Sequence, residues 1–217
     1  VRSDEASIRS DLAAVYRLCH KFGLNEGVCN HLTALVPGSS LKFSVVRYGM
    51  LWEEVRPHNL VLMDAEGTIL SGEGPVETTA FEIHRAIHLA DPAKYGCVLH
   101  THMSWATALC CIMAETSPGL VMCHQDHLKF YDDWAYDDQY SGLVLDGDEG
   151  TRLAGALQGK KVLLHRNHGV IVCGATVCEA FDDLCTLRCA SDLGPAERRL
   201  QYFLPHASGP PVVWVRR

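Results

Sequence analysis

Two histidines near the middle of the chain have the spacing that most strongly indicates chemistry. His100 and His102 close the stretch Cys97-Val98-Leu99-His100-Thr101-His102, whose apolar and β-branched residues suit the end of a buried strand. Alternate side chains of a strand share a face, so both imidazoles point the same way, close enough to hold one ion. A single buried histidine is usually a core residue. Two at this spacing put a metal site on an equal footing with packing, because neutral imidazole is the commonest metal ligand.

A third imidazole comes later in the chain. His168 lies in the turn Arg166-Asn167-His168-Gly169 between two apolar strands, and its glycine allows another backbone to approach. With His100 and His102 it makes three imidazoles, the ligand count of an open catalytic zinc site. An ion there can act as a Lewis acid and stabilise an enediolate or another developing oxyanion. We therefore expect the two segments to meet in the fold.

Two other histidine pairs have patterns that also allow metal binding. His84 and His88 are four residues apart on a predicted helix, but packing between the helix and the sheet is the favoured interpretation. His124 and His127 form a His-x-x-His pair in a polar segment, which is weak evidence for a site.

The elements that must position these side chains are a mixture of helices and strands. Helices are predicted at 4–22, 76–89, 104–114, 148–157 and 176–190, and strands at 32–36, 41–46, 60–64, 68–70, 97–102, 161–164 and 170–174. Hairpin signals at 37–40 and 65–67 make the first part of the sheet antiparallel. The run 130–140 mixes aspartates with aromatic residues, so we expect a solvated loop that contacts another subunit or covers a pocket.

Composition limits the class of protein. The 217 residues fit a single domain, 1–217, in which 194–217 form a C-terminal arm. A formal net charge of −7 argues against a nucleic-acid surface, and no apolar run approaches the length of a membrane span. The first residues show no apolar signal region. Ten cysteines without a Cys-x-x-Cys pair favour buried thiols in a reducing cytoplasm over a disulfide framework.

The chain resembles the class II aldolase/adducin family over about residues 8 to 190. Several motifs in the same order carry the resemblance: Asn30-His31-Leu32-Thr33, Tyr48-Gly49-Met50-Leu51, Phe81-Glu82-Ile83-His84, Val98-Leu99-His100-Thr101-His102, Leu164-His165-Arg166-Asn167-His168-Gly169-Val170 and Glu179-Ala180-Phe181. Each motif alone is weak, but together they are specific for the family.

The resemblance implies a fold and a cofactor. The fold is α/β, a three-layer α/β/α arrangement around a mainly antiparallel sheet. The cofactor is a divalent ion on His100, His102 and His168, zinc first, with manganese or iron also compatible with three imidazoles. The resemblance further implies a homotetramer with active sites between subunits.

Substrate-binding residues are also implied by the resemblance. The family's phosphate loop has Gly-Asn followed by Ser, where this chain has Asn30-His31 followed by Thr33. Gly49 belongs to the same set, and Thr78 and Thr79 stand where phosphate-binding serines would.

The main departure from the family concerns the catalytic acid. Sugar-phosphate aldolases and epimerases of the family have an acidic residue four positions before the helix histidine, where this chain has Ala80 before His84. Glu77, one turn away, is the best substitute, although a glutamate in a first helical turn is favoured by the helix dipole alone. A metal-bound water and Tyr131 from a neighbouring subunit are the other candidate proton donors.

The resemblance leaves two functions open. The first is a metal-dependent lyase that cleaves a C–C bond, as an aldolase or decarboxylase does, through a metal-stabilised enolate of a small hydroxy acid, keto acid or sugar-derived substrate. The second is a non-enzymatic module like the adducin head, which binds actin or spectrin. Three histidines compatible with a working site favour the enzyme.

Overall fold

The structure is a computed structural model that describes residues 4–38, 41–111, 120, 122, 124–140, 142 and 147–189. Helix α1 (Glu5–Lys21) begins after Asp4, whose carboxylate accepts a 2.8 Å hydrogen bond from the Ser7 backbone nitrogen, as an N-cap should. Its buried residues recur every three or four positions and therefore line one side of the helix: Leu12, Ala13, Val15, Tyr16 and Cys19.

Eight strands form one sheet in the described part of the chain. They are β1 (His31–Leu35), β2 (Lys42–Val46), β3 (Leu60–Asp64), β4 (Ile69–Ser71), β5 (Cys97–Thr101), β6 (Trp134–Asp137), β7 (Val162–His165) and β8 (Val170–Gly174). Their order across the sheet is β4-β3-β2-β1-β5-β8-β7-β6. All neighbouring pairs are antiparallel except β6 and β7, which run parallel. The predicted mainly antiparallel sheet is therefore confirmed.

Helices cover both faces of the sheet. Besides α1, the helices are α2 (Thr78–Ala90), α3 (Ser104–Cys111), α4 (Gly147–Ala156) and a helix over residues 177–189, here α5. Leu99 of β5 packs in one core with residues of α1, α3 and α5, whereas its neighbour Val98 packs in another with residues of α2 and α4. Because successive strand residues point to opposite faces, these cores lie on opposite sides of the sheet. The three-layer α/β/α prediction is confirmed.

The strand register brings the histidine segments to one edge of the sheet. His31, at the start of β1, pairs with His100, near the end of β5. On the other side of β5, Thr101 pairs with Val170 at the start of β8. The end of β7 at His165 reaches the same edge, because β7 and β8 are joined by the short turn 166–169. Residues remote in sequence thus converge where these strands begin or end.

The sequence-based prediction for residues 130–140 is wrong in part. Instead of a solvated loop throughout, β6 occupies Trp134–Asp137, after a 3₁₀ helix over Gln125–Phe130. Burial alternates along the strand, and Ala135 and Asp137 are buried. The aspartates hid this pattern, because Asp137 is buried through pairing with residues far away in sequence.

Some predictions lie outside the described residues or remain predictions. The proposed C-terminal arm at 194–217 and residues 112–114 of the predicted third helix lie outside the described residues. Within the described ranges, no helix has the length and apolar character that crossing a bilayer requires. Nine cysteines in these ranges are free thiols.

Candidate metal centre

The structure brings His100, His102 and His168 together. One nitrogen from each ring lies within 4.8 Å of the others, and the ring centroids are 4.7 to 4.9 Å apart. His100 is buried, with 1% of its surface exposed, while His102 and His168 are half-buried. The cluster therefore has one side closed by protein and another that solvent can reach, as a site open to a substrate requires.

Hydrogen bonds to the far side of two rings determine which nitrogens face the cluster. Nδ1 of His100 donates to the Val170 carbonyl oxygen at 3.0 Å, and Nδ1 of His102 donates to Oε2 of Glu26 at 2.7 Å. In its neutral form each ring then has its proton on Nδ1 and a lone pair on Nε2. The two Nε2 atoms are 3.0 Å apart. Two lone pairs at that distance repel each other unless a cation lies between them.

The turn that presents His168 depends on special backbone conformations. Asn167 has φ of 55°, a left-handed conformation that asparagine tolerates better than most residues. At Gly169 an added Cβ would lie 2.6 Å from Cδ2 of His102 and 2.7 Å from the Thr101 carbonyl oxygen. A glycine is therefore required for β8 to start this close to the end of β5.

The donor set fits a divalent ion. Nδ1 of His168 is buried and has no hydrogen-bond partner within the described ranges. Burial, followed by the effects of His165 and His102, lowers the pKa of His168 to about 3, so this ring is neutral at ordinary pH. Burial also holds the pKa of His100 well below its usual value. Imidazoles are ligands that zinc and similar ions prefer, and two of these three, His100 and His102, are also held by far-side hydrogen bonds.

A buried ionic group supports the cluster from the β6 side. Oδ2 of Asp137 accepts a 2.7 Å hydrogen bond from Nδ1 of His165, whose ring centroid is 5.0 Å from that of His168. Arg152 donates to both oxygens of Asp137 at 2.8 and 2.9 Å, and Glu149 holds Arg152 in turn. Burial raises the pKa of Asp137, but the hydrogen bonds from His165 and Arg152 outweigh burial and leave it lowered. The carboxylate is thus charged and fixes His165.

A second row of histidines lies between β1 and α2. Nδ1 of His31 is 2.8 Å from Nε2 of His84, and the Thr33 hydroxyl is 2.6 Å from Nδ1 of His84 and 2.8 Å from Nε2 of His88. Nδ1 of His88 is 2.5 Å from the Tyr95 carbonyl oxygen. His84 and His88 are fully buried, so the predicted packing role for this pair is confirmed.

Glu77 lies beside this row at the start of α2. It is the N-cap residue, and Oε2 accepts a 3.0 Å hydrogen bond from the Ala80 backbone nitrogen. The same oxygen is 3.7 Å from Nε2 of His31. The helix therefore starts at Thr78, two residues later than predicted, and the carboxylate lies next to the position where the family acid is missing.

Tyr131 is far from the cluster within its own chain. It is 62% exposed and precedes β6, at the end of the strand opposite to Asp137. Lys160, which precedes β7, lines the same groove as Tyr131. A role for Tyr131 thus depends on a neighbouring subunit, and it stays a prediction.

The predicted substrate-binding residues are divided by burial. Asn30 and Gly49 line a pocket, and Gly49 has φ of +85°, which favours glycine. Oδ1 of Asn30 accepts a 2.6 Å hydrogen bond from the Glu26 backbone nitrogen. Thr78 is exposed. Thr79 is 4% exposed and Thr33 fully buried, with its hydroxyl between two histidines, so the structure does not support Thr33 as a substrate contact.

Sequence reasoning missed the long-range partners of the site. Glu26 holds His102 from 76 residues away, and Asp137 holds His165 from 28 residues away. Glu26 lies in an exposed, glycine-rich segment, and no local pattern marks it as a histidine partner. For Asp137, a buried position in a strand would have been the signal, but the strand itself was not predicted.

Comparison with known proteins supports the family suggested by the motifs. Residues 10–192 match the model of the "Class II Aldolase and Adducin N-terminal domain". A Caulobacter vibrioides protein with a provisional class 2 aldolase name is 34% identical over 184 residues, covering 83% of this chain and 68% of that protein. Mouse alpha-adducin is 34% identical over 182 residues, covering 82% of this chain but 24% of that protein.

A solved structure agrees with the fold. The aldolase II superfamily protein from Pseudomonas syringae superposes with a TM-score of 0.84 at 32% sequence identity, covering 92% of this chain and 79% of that one. Sequence motifs, sheet topology and these similarities lead to the same assignment. The chain belongs to the class II aldolase and adducin family.

Proposed function

We propose that this protein is a metal-dependent lyase that cleaves a C–C bond in a small hydroxy acid, keto acid or sugar-derived substrate. The observation that carries the proposal is the three-imidazole cluster with its far-side hydrogen bonds. Val170 and Glu26 fix two rings so that Nε2 lone pairs meet 3.0 Å apart. Two ligands of one tetrahedral zinc ion lie about 3.3 Å apart, given Zn–N distances of 2.0–2.1 Å.

His100, His102 and His168 would hold the ion, zinc in the first place, with manganese or iron compatible with the same ligands. When bound, such an ion supplies Lewis acidity for the negative charge that C–C cleavage leaves on a substrate oxygen. The protein positions the ligands through Glu26, Val170 and the Asp137–His165 pair. It also excludes water from the inner side of the site, where His100 is buried.

Proton delivery is the part of the reaction for which this chain departs from its family. Ala80 has no acidic group, and Glu77 lies beside it with a carboxylate that lines the adjoining pocket. We propose Glu77 as the proton donor or acceptor there, with Tyr131 of a neighbouring subunit as the second candidate. A donor that acts on substrate needs to reach it, and Glu77 already lines the pocket.

The experiment is metal analysis combined with a substrate screen. Purified protein would be loaded with zinc, manganese or iron and assayed for cleavage of hydroxy acids, keto acids and sugar phosphates. We expect turnover that requires metal and disappears in His168→Ala. A matched control is His58→Ala, which changes an exposed histidine of the 3₁₀ helix Pro57–Asn59, remote from the cluster in sequence, and should leave turnover intact. Turnover that persists in His168→Ala would contradict the proposal.

A second function is favoured by a specific similarity. The identity to mouse alpha-adducin equals that to the Caulobacter protein, and Ala80 replaces the acid of the family's aldolases. A non-enzymatic module would bind actin or spectrin and show no turnover with or without metal. Co-sedimentation with filamentous actin, run beside the cleavage assay, separates the two, since binding without turnover would favour this alternative.

Assembly and location are part of the same proposal. The family resemblance supports a homotetramer, and light scattering at micromolar concentration should give about four times the chain mass of 23.9 kDa. A monomer would contradict it. The free thiols among the described cysteines support a reducing, cytoplasmic location.

A further inference from the structure

The row of histidines between β1 and α2 is a hydrogen-bond chain with one possible direction. At its inner end the Tyr95 carbonyl can only accept, so Nδ1 of His88 carries the proton that it donates. Nε2 of His88 is then an acceptor, which receives the Thr33 hydroxyl proton. The Thr33 oxygen in turn accepts from Nδ1 of His84.

The same donor-to-acceptor direction continues to the outer end of the hydrogen-bond chain, at His31. Since Nδ1 of His84 carries its proton, Nε2 is bare and accepts from Nδ1 of His31. Nε2 of His31 is therefore left with a lone pair. The Tyr95 carbonyl, four hydrogen bonds away, determines the tautomer of a residue that lines the pocket beside the metal centre.

His31 is buried but incompletely partnered. Its exposed fraction is 5%, and its ring centroid is 4.8 Å from that of His100, a candidate ligand. In the part of the chain that the structure describes, Nε2 makes no hydrogen bond. Oε2 of Glu77 lies 3.7 Å from this nitrogen and is also an acceptor. Nε2 is therefore an acceptor at the pocket that a hydroxyl donor can reach.

We propose that the pocket beside the metal centre binds a hydroxyl group of the substrate, which donates a hydrogen bond to Nε2 of His31. The substrate is accordingly a hydroxy acid with a second hydroxyl beyond its chelating end, and it is not phosphorylated. This deepens the proposed function and rests on it. A phosphate would meet the His31 lone pair and the Glu77 carboxylate, which both repel negative charge. Arg47 also lines the pocket and makes phosphate binding the competing outcome.

The tautomers can be measured without any substrate. Protein labelled with ¹⁵N-histidine, with zinc bound, would be studied by long-range ¹H–¹⁵N correlation. We expect His31, His84 and His88 each to be neutral and protonated on Nδ1. Thr33→Val removes the central hydroxyl while preserving shape, and should release this tautomer at His84 or His31. A proton on Nε2 of His31 in the wild-type protein would overturn the proposal.

Ligand preference is the second measurement. Zinc-loaded protein would be titrated calorimetrically with lactate, glycerate and 3-phosphoglycerate, which share the chelating end and differ at the third carbon. One neutral hydrogen bond gives about 0.5–1.5 kcal/mol, so glycerate should bind roughly 2- to 13-fold more tightly than lactate, and 3-phosphoglycerate more weakly than glycerate. Equal binding of lactate and glycerate, or tighter binding of 3-phosphoglycerate, would overturn the proposal.

A variant assigns the preference to the residue. His31→Leu should bind lactate and zinc as the wild-type protein does, but lose the preference for glycerate. The zinc content and thermal unfolding of this variant show whether it has folded. If it has not, Thr33→Val provides an independent test, because it should also lose the preference for glycerate. If none of the acids binds zinc-loaded protein, the proposed function fails, while the tautomers still decide the hydrogen-bond chain.

Discussion

Gly169→Ala should weaken metal binding although none of the three ligand residues is replaced. An added Cβ would lie 2.6 Å from Cδ2 of His102, whereas ordinary contacts begin at 3.4 Å, so something must move by about 0.8 Å (3.4 − 2.6). The Thr101 carbonyl, at 2.7 Å, blocks the alternative of shifting the glycine toward β5. Metal–ligand distances tolerate about 0.2 Å, so a displacement of this size takes His102 out of reach.

The expected magnitude follows from that displacement. We expect zinc to bind at least 10- to 100-fold more weakly, the loss typical of disturbed ligand support. Overpacking should also lower the free energy of unfolding of the metal-free protein by about 1–3 kcal/mol. At about 2–4 °C per kcal/mol for a chain of this size, the melting temperature should fall by about 2–12 °C.

The assay is a zinc titration against a competing chelator, followed by thermal unfolding with and without zinc. Gly155→Ala is the matched control, because nothing lies within 4 Å of its added Cβ and it is an exposed residue of α4. That change should leave zinc affinity unaltered and stabilise the helix by about 0.5–1 kcal/mol. Zinc affinity in Gly169→Ala within twofold of the wild-type value would refute the reasoning.

Three further predictions concern the same fold. Glu26→Ala removes the acceptor of Nδ1 of His102 and should weaken zinc binding about tenfold in a chelator competition, whereas Glu26→Gln keeps an acceptor and should lose less. Burial lowers the pKa of His88 to about 4, despite the opposing hydrogen bond to the Tyr95 carbonyl, against about 6.5 when unfolded. Below pH 6.5 the unfolded chain binds a proton at His88 that the folded protein does not, so the folded protein should lose about 3 kcal/mol of its free energy of unfolding between pH 6.5 and 4. Urea titrations at several pH values should show a smaller pH-dependent loss of stability in His88→Gln. An equal loss in that variant would contradict the lowered pKa of His88. Burial raises the pKa of the Cys97 thiol far above its usual value, whereas Cys29 is exposed. A thiol reagent at pH 8 should therefore modify Cys29 in the native protein and Cys97 only after unfolding. Mass spectrometry that finds Cys97 modified in the native protein would contradict its burial.

The general architecture was predictable because its signals are local. Apolar periodicity predicted α1 and the strand that contains His100, and a turn signal predicted the hairpin of β3 and β4. The spacing of His100 and His102 required a shared face, and the Asn-His-Gly turn before an apolar strand supplied the third imidazole. These features depend on a few neighbouring residues, which a single sequence contains.

The partners of the site were not predictable, since they depend on strand order. Nothing in the local sequence places Glu26 at His102, or the Tyr95 carbonyl at the inner end of the His88 hydrogen bond. Thr33 was expected to bind substrate, but its side chain points from β1 toward α2, where the hydroxyl forms hydrogen bonds with His84 and His88. The residue facing the pocket is His31, two positions earlier on the same face.

The most direct test of the account is the metal content of the purified protein. Elemental analysis after loading and gel filtration should find about one divalent ion per chain in the wild-type protein, and close to none in His100→Ala or His168→Ala that retains its fold by circular dichroism. If the double variant His100→Ala, His102→Ala still holds one ion per chain, the three-histidine centre is not the metal site.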